Sequence, residues 1–161
     1  MLRGLALAGL LLLAGCQQGE AGSEAADRAE IHALLTAYGT TLDARDFNGF
    51  AKLFAKDGVY VAGTGVGVSG PEAGAMMERV FAENALGFAE PNYHLFFNEV
   101  VSFDDVDSAS VTSMSLYMVP GDDSAPRAAL MARYHDELVR EDGAWKFARR
   151  EVEGLLPAPR P

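Results

Sequence analysis

The chain has 161 residues, of which 13 are basic and 23 acidic, so its formal net charge is −10 at pH 7. This excess of negative charge disfavours nucleic acid and anionic lipid headgroups as partners, because both repel an acidic surface. A single cysteine excludes a disulfide within the chain, so hydrophobic packing must stabilise the fold.

The first fifteen residues, MLRGLALAGLLLLAG, have one basic residue, Arg3, followed by an apolar run. This run is too short for a permanent transmembrane helix and is typical of an export signal peptide. It ends in LAGC, where two small residues precede Cys16, and this pattern predicts a bacterial lipoprotein with Cys16 as the lipidated residue. An ordinary signal peptide with an incidental cysteine is the alternative. On the lipoprotein interpretation the protein is exported to the cell envelope, and the lipid anchor is its only attachment to a membrane.

Residues 16–26 are small and polar, which is typical of a tether between a lipid and a folded domain. We therefore expect one domain over residues 27–155 and a short tail over residues 156–161. From Asp27 onward, apolar residues recur with the period of an amphipathic helix. They are Ile31, Leu34, Leu35, Tyr38 and Leu42.

Asp46 is the predicted N-cap of a second helix. Two short segments, residues 58–62 and 65–69, are predicted as a pair of strands or as one strand and an extended loop. A third helix is predicted next, because Ser69 and Glu72 have the spacing of a capping box. The chain then has four strand-like segments separated by turn signals, at about residues 92–103, 109–119, 128–140 and 144–153.

Helices followed by an antiparallel meander predict an α+β fold. We expect a curved antiparallel sheet of about four long strands and some short ones, wrapped round the long first helix with two further helices. The predicted shape is a cone-shaped α+β barrel with a cavity at its open end, and such concave apolar places are typical ligand sites. The glycine pattern GVGVSG, residues 65–70, does not indicate a dinucleotide site, because βαβ units do not follow it. No cofactor is predicted, and the three dispersed histidines predict no bound metal.

The strand PNYHLFFNEVVSF, residues 91–103, contains a histidine among aromatic and aliphatic residues. Alternation places His94, Phe96 and Asn98 on one face, unless a β-bulge alters this register. A histidine in apolar surroundings can take a proton at neutral pH, which suits proton abstraction next to a carbonyl. His94 is therefore the best candidate for catalysis, and a structural residue in the pocket wall is the alternative.

Four further residues are candidates for ligand binding. The hydroxyl groups of Tyr38 and Tyr60 could bind a polar group of the ligand. Asn98 shares the predicted face of His94, and Met114 belongs to a methionine-rich row that suits irregular apolar ligands. Packing in the core is the alternative role for the tyrosines and for Met114.

Three segments together resemble a SnoaL-like domain of the nuclear-transport-factor-2-like superfamily. They are LLTAYGTTLDARDFNGFAKLFAKDGVYVAG, NYHLFFNEVVSFDDVDSASVTSMSLYMV and ARYHDELVREDGAWKFARREV. The resemblance covers most of residues 27–153 and rests on D-x-R-D, LFAKDGVY, H-x-x-x-N and DGAWKFARR in this order. It implies a curved sheet with a central pocket, as in scytalone dehydratase, ketosteroid isomerase and polyketide cyclases. In the dehydratase-like relatives a histidine on this strand works with an aspartate of the first helix, which implies Asp43 as the partner of His94.

Two functions stay open at this point. The first is a lipid-anchored envelope protein whose pocket binds a small apolar or aromatic molecule. Proton transfer, dehydration or cyclisation would make it a lyase or isomerase that uses His94 and Asp43. The second is a noncatalytic ligand-binding or assembly module of the envelope. Relatives commonly dimerise by the outer sheet face, which implies a homodimer through a polar row on that face, comprising Arg133, His135, Glu137, Arg149 and Glu151.

Overall fold

The computed structural model describes residues 14–156, with side chains described from residue 23. The helices are α1 (Ala14–Asp43), α2 (Phe47–Ala51) and α3 (Gly70–Glu83). The strands are β1 (Phe54–Val61), β2 (Gly67–Ser69), β3 (Tyr93–Phe103), β4 (Ser108–Pro120), β5 (Pro126–Glu141) and β6 (Ala144–Leu156). The predicted signal peptide and C-terminal tail lie almost entirely outside the described residues, as does the side chain of Cys16.

The first helix is longer than its apolar stripe. It begins at Ala14, well before Asp27, where the periodic pattern starts. The segment predicted as a tether, residues 16–26, is thus part of this helix. Most of its residues are alanine, glutamine and glutamate, which favour helix. The predicted stripe itself is confirmed, since its five side chains are buried. No helix within residues 14–156 has a stretch long and apolar enough to cross a bilayer.

The caps of the two shorter helices are confirmed. The Asp46 carboxylate accepts a hydrogen bond from the Gly49 backbone N–H at 2.8 Å, which satisfies a free donor of α2. At the start of α3, the Glu72 carboxylate accepts from both the backbone N–H and the hydroxyl of Ser69. Helix α3 ends at Glu83, and its C-cap residue Asn84 has a left-handed conformation.

The six described strands form one sheet in the order β2-β1-β6-β5-β4-β3. Neighbouring strands are antiparallel except β1 and β6, which pair in parallel. The prediction of an α+β fold with helices before an antiparallel meander is confirmed. The sheet is curved but does not close, because β2 and β3 are its two edges. The expectation of a barrel is wrong in this respect.

A β-bulge in β3 decides which of its side chains face inward. Phe97 pairs with Met114 and Val100 pairs with Thr112, so two residues of β3, Asn98 and Glu99, lie opposite the single residue Ser113. Asn98 has a φ of 54°, which permits this extra residue. Before the bulge, even-numbered residues face inward, and after it the odd-numbered residues do.

Candidate functional site

A cavity of about 320 Å³ lies between α1, α3 and the concave face of the sheet. This volume is at the lower end of the range for small-molecule sites. One wall comes from α3 and the segment after it and is mainly apolar, although it also contains Glu83 and Asn84. Its apolar side chains are Met77, Val80, Phe81, Ala85, Leu86 and Phe88. The opposite wall has hydroxyl groups and one imidazole, from Tyr38, Tyr60, His94, Ser115, Tyr117 and Tyr134. The cavity therefore suits a mainly apolar ligand with one polar end.

His94 and Asp43 meet at the edge of this cavity. Asp43 is the last residue of α1, and its Oδ1 lies 2.7 Å from Nδ1 of His94. The backbone N–H of His94 also donates to the two carboxylate oxygens, at 3.2 and 3.0 Å. Both side chains are largely buried, with 11% and 16% of their surface exposed. The predicted pairing of these two residues is thus present in the structure.

The contact with Asp43 defines the tautomer of His94. A carboxylate only accepts hydrogen bonds, so Nδ1 of the ring carries the hydrogen and donates it. The lone pair of a neutral imidazole then lies on Nε2. The same arrangement orients the histidine base of a catalytic triad and stabilises the imidazolium that forms. In this tautomer Nε2 is the ring nitrogen of His94 that can accept a hydrogen bond or a proton.

Four hydroxyl groups of the polar cavity wall form two pairs. Tyr38 and Tyr60 lie 3.2 Å apart through their hydroxyl oxygens, and Ser115 and Tyr134 lie 3.0 Å apart. Burial raises the pKa of Tyr38 well above its ordinary value, and burial raises the pKa of Tyr60 to about 12. Both phenols remain protonated at neutral pH and can donate a hydrogen bond. The predicted placement of Tyr38 and Tyr60 at the cavity agrees with the structure.

Two predicted ligand-binding residues lie elsewhere. Asn98 is exposed at the bulge, where its amide contacts the sulfur of Met114 at 3.7 Å. Met114 pairs with Phe97 and Arg133 and belongs to the outer row of β4. Neither residue lines the cavity. Their predicted placement is wrong, because the bulge turns Asn98 outward and the inner row of β4 is the one with serine and tyrosine.

Tyr117 was not predicted as a site residue, and it lies directly across the β3–β4 ladder from His94. The two ring centroids are 4.9 Å apart, and Tyr117 lines the cavity. Burial raises the pKa of this phenol to about 12. The alternation of β4 contained a usable signal, since Ser113, Ser115 and Tyr117 share one face and only the inner face of such a strand is buried.

A buried ion pair lies behind the tyrosines and was also missed. The side chains of Arg150 and Asp136 are completely buried, and their charged groups approach to 3.4 Å. The Arg150 guanidinium stacks on the rings of Tyr38 and Tyr134, at 3.9 and 4.2 Å from their centroids. Burial raises the pKa of Asp136 to about 6, although the charge of Arg150 opposes this. The guanidinium of Arg150, paired with Asp136, therefore lies directly behind the tyrosines of the cavity wall.

The other two histidines lie away from the cavity. His32 contacts Glu99 at 3.0 Å, and His135 contacts Glu153 at 3.6 Å on the outer face. Within residues 14–156 no group of three or more histidine, cysteine, aspartate or glutamate side chains is placed to bind a metal ion.

Comparison with known proteins identifies the family. The SnoaL-like domain family matches residues 23–151, whereas no curated protein is detectably similar in sequence. An NTF2-like protein with a cystatin-like fold from Novosphingobium aromaticivorans is 20% identical, with a TM-score of 0.76 over 91% of this chain and 94% of its own. A candidate scytalone dehydratase from the same organism is 23% identical, with a TM-score of 0.65 over 84% and 89%.

ActVI-ORFA from Streptomyces coelicolor is 26% identical, with a TM-score of 0.69 over 82% of this chain and 97% of its own. The two Novosphingobium structures, below 25% identity, show the fold alone. The family match covers most of the chain, and its residues include α1 from residue 23 together with nearly the whole sheet. The chain therefore belongs to the SnoaL-like domain family and has the NTF2-like fold.

Proposed function

We propose that the cavity binds a small apolar or aromatic carbonyl compound and that His94 removes a proton from the carbon next to the carbonyl. The observation that supports this most is the His94–Asp43 hydrogen bond at the edge of an apolar cavity. The protein would then be an isomerase or a lyase, and the candidate scytalone dehydratase that shares its fold is compatible with such chemistry.

The proposed reaction begins with a proton transfer. The C–H bond breaks, Nε2 of His94 takes the proton, and the electron pair moves to the carbonyl oxygen to form an enolate. Asp43 stabilises the resulting imidazolium, because its carboxylate is 2.7 Å from Nδ1. Return of the proton to another carbon gives isomerisation. Transfer of the proton to a β-hydroxyl group, which then leaves as water, gives dehydration.

Hydrogen exchange tests the first step without knowledge of the natural substrate. The probe is 2-tetralone, a two-ring ketone with acidic protons next to its carbonyl, dissolved in D₂O and followed by NMR. We expect the protein to accelerate deuterium uptake, and His94→Ala to lower the rate by about 10²- to 10⁴-fold, the usual contribution of a general base. His135→Ala is the matched control, since this histidine is exposed on the outer face. A His94→Ala protein that exchanges as fast as wild type would exclude the proposed role.

The outer sheet face supports a second candidate function, in which the domain assembles as a homodimer. Tyr93 and Leu95 are half exposed on this face, and two strands away, on β5, Arg133 pairs with Glu153 at 3.1 Å. An apolar patch with a charged border is typical of a subunit interface. Reversing the charge of Arg133 by Arg133→Glu should lower the sedimentation coefficient of a dimer. An unchanged coefficient would count against this interface.

We also propose that Cys16 is the lipidated residue and that the protein is attached to the envelope only there. Cys16 lies near the start of α1 and Asp43 at its end, so the helical rise separates them by about 40 Å. This distance would hold the cavity away from the bilayer, and the ligand would enter from water. Cys16→Ala should abolish incorporation of labelled fatty acid and release the protein from the membrane fraction. Equal labelling of the variant would contradict lipidation at Cys16.

A further inference from the structure

The hydroxyl groups that line the cavity differ in whether they contact another hydroxyl group. The hydroxyl groups of Tyr38 and Tyr60 contact each other, and so do those of Ser115 and Tyr134. Among the residues that the structure describes, no group hydrogen-bonds to the hydroxyl of Tyr117. Its hydrogen therefore remains available to a molecule in the cavity.

Tyr117 is also the hydroxyl-bearing residue placed beside the base. It pairs with His94 across the β3–β4 ladder, and both side chains face the cavity. Side chains of directly opposed residues stand next to each other on the same face of a sheet, and here the ring centroids are 4.9 Å apart. In a ketone, the oxygen is only two bonds from the carbon that loses its proton. A ligand with this carbon at Nε2 of His94 thus brings its oxygen to the neighbouring phenol.

The surroundings of Tyr117 keep it in the donor form. The pKa of the phenol is raised to about 12, mainly by burial, and within this total the charge of Arg45 lowers the pKa while those of Asp43 and Glu90 raise it. The phenol consequently holds its proton at neutral pH. Its ring packs against those of His94 and Phe88, whose centroids lie 4.9 and 5.3 Å away.

We propose that Tyr117 is a further catalytic residue, which donates a hydrogen bond to the ligand's carbonyl oxygen while His94 removes the adjacent proton. This inference rests on the proposed function of the same site. The phenol keeps its proton throughout, and its hydrogen bond becomes shorter and stronger as the oxygen gains the electron pair of the broken C–H bond. Stabilisation that increases toward the transition state raises the turnover rate more than the affinity for the ketone.

Tyr117→Phe tests the role, because it removes only the hydroxyl group and keeps the ring. With 2-tetralone in D₂O we expect kcat for exchange to fall by about 10²- to 10³-fold, as for loss of one oxyanion donor, with a smaller change in KM. Tyr93→Phe is the matched control, since Tyr93 is an exposed tyrosine on the outer face of the same hairpin. Thermal unfolding of both variants monitors the fold.

A binding measurement separates this inference from the proposed function. The probe is 2-naphthol, which has the shape of the tetralone enol and whose fluorescence reports binding. We expect Tyr117→Phe to weaken its affinity by about 10-fold, the effect of one lost hydrogen bond to a partly charged oxygen, and Tyr93→Phe to leave it unchanged. If wild type binds 2-naphthol but does not accelerate exchange, the proposed catalysis fails while weaker binding by Tyr117→Phe still supports the donor role. Equal affinity in wild type and Tyr117→Phe, or no binding by wild type, overturns the inference.

Discussion

Replacing Asp43 with asparagine changes the charge and hydrogen bonding of the pair with almost no change in shape. The carboxylate accepts from the ring Nδ1 and from the backbone N–H of His94. An amide has only one oxygen, so it cannot accept from both donors. If the oxygen stays on the backbone N–H, the NH₂ group faces Nδ1, which must then accept. The hydrogen of the neutral ring moves to Nε2, and the base that faces the ligand is lost.

The expected size of the effect follows from the contact that disappears. A hydrogen bond to a charged group contributes about 1.5–3 kcal/mol, and the partial burial of both side chains limits screening by water. This energy corresponds to a change of roughly 10- to 150-fold in the tautomer population. We therefore expect Asp43→Asn to slow the exchange of 2-tetralone by at least about 10-fold. The wrong tautomer in a serine protease triad costs about 10⁴-fold, which sets an upper bound.

The tautomer can be measured without any substrate. In protein labelled with ¹⁵N-histidine, couplings between ring nitrogens and carbon-bound ring protons distinguish the two tautomers, and His94→Ala identifies the signal of His94. We expect the Nδ1–H form in wild type and the Nε2–H form in Asp43→Asn. A wild-type ring with its hydrogen on Nε2 would refute the role assigned to Asp43, and so would a spectrum that Asp43→Asn leaves unchanged.

Two further predictions concern stability, and chemical denaturation measures both. Burial raises the pKa of Asp136 from 3.8 to about 6, so the folded state holds this proton more tightly than the unfolded state. The free energy of unfolding should fall by about 3 kcal/mol relative to Asp136→Asn as the pH rises from about 4 to above 6, and parallel pH profiles would contradict this. A Cβ at Gly74 would lie 2.3 Å from the carbonyl oxygen of Phe47. Gly74→Ala should therefore destabilise the protein by about 1–3 kcal/mol, whereas Gly154→Ala, which meets no atom within 4 Å, should have little effect.

Features that depend on local sequence were predictable. The cap at Asp46 and the capping box at Ser69 need only residues three positions apart. The buried stripe of α1 likewise follows from a repeat along one helix. His94 and Asp43 are far apart in sequence, so the period of a single helix or strand cannot predict their contact. The family resemblance implied this pairing.

The positions of the residues that were not predicted, Arg150 and Tyr117, depend on how strands distant in sequence pair. Arg150 is buried because β6 pairs with β5 on one side and with β1 in parallel on the other. A charged residue in a strand is ordinarily assigned to solvent, and only the register of this pairing places it behind Tyr38. Tyr117 and Met114 lie on opposite faces of β4, with Tyr117 on the inner face and Met114 on the outer one. The alternation of that strand permits either choice, and its pairing with β3 decides it.

The bulge explains how one strand can serve both the cavity and the core. His94 occupies an even-numbered position, whereas Val101 and Phe103, which pack against the core, occupy odd-numbered ones. Strict alternation cannot turn all three inward, because side chains change face at every residue. Placing Asn98 and Glu99 opposite one residue shifts the alternation by one position between the two halves. The upstream half can then present an imidazole to the cavity while the downstream half buries its apolar side chains, so the position of the bulge determines that His94 reaches Asp43.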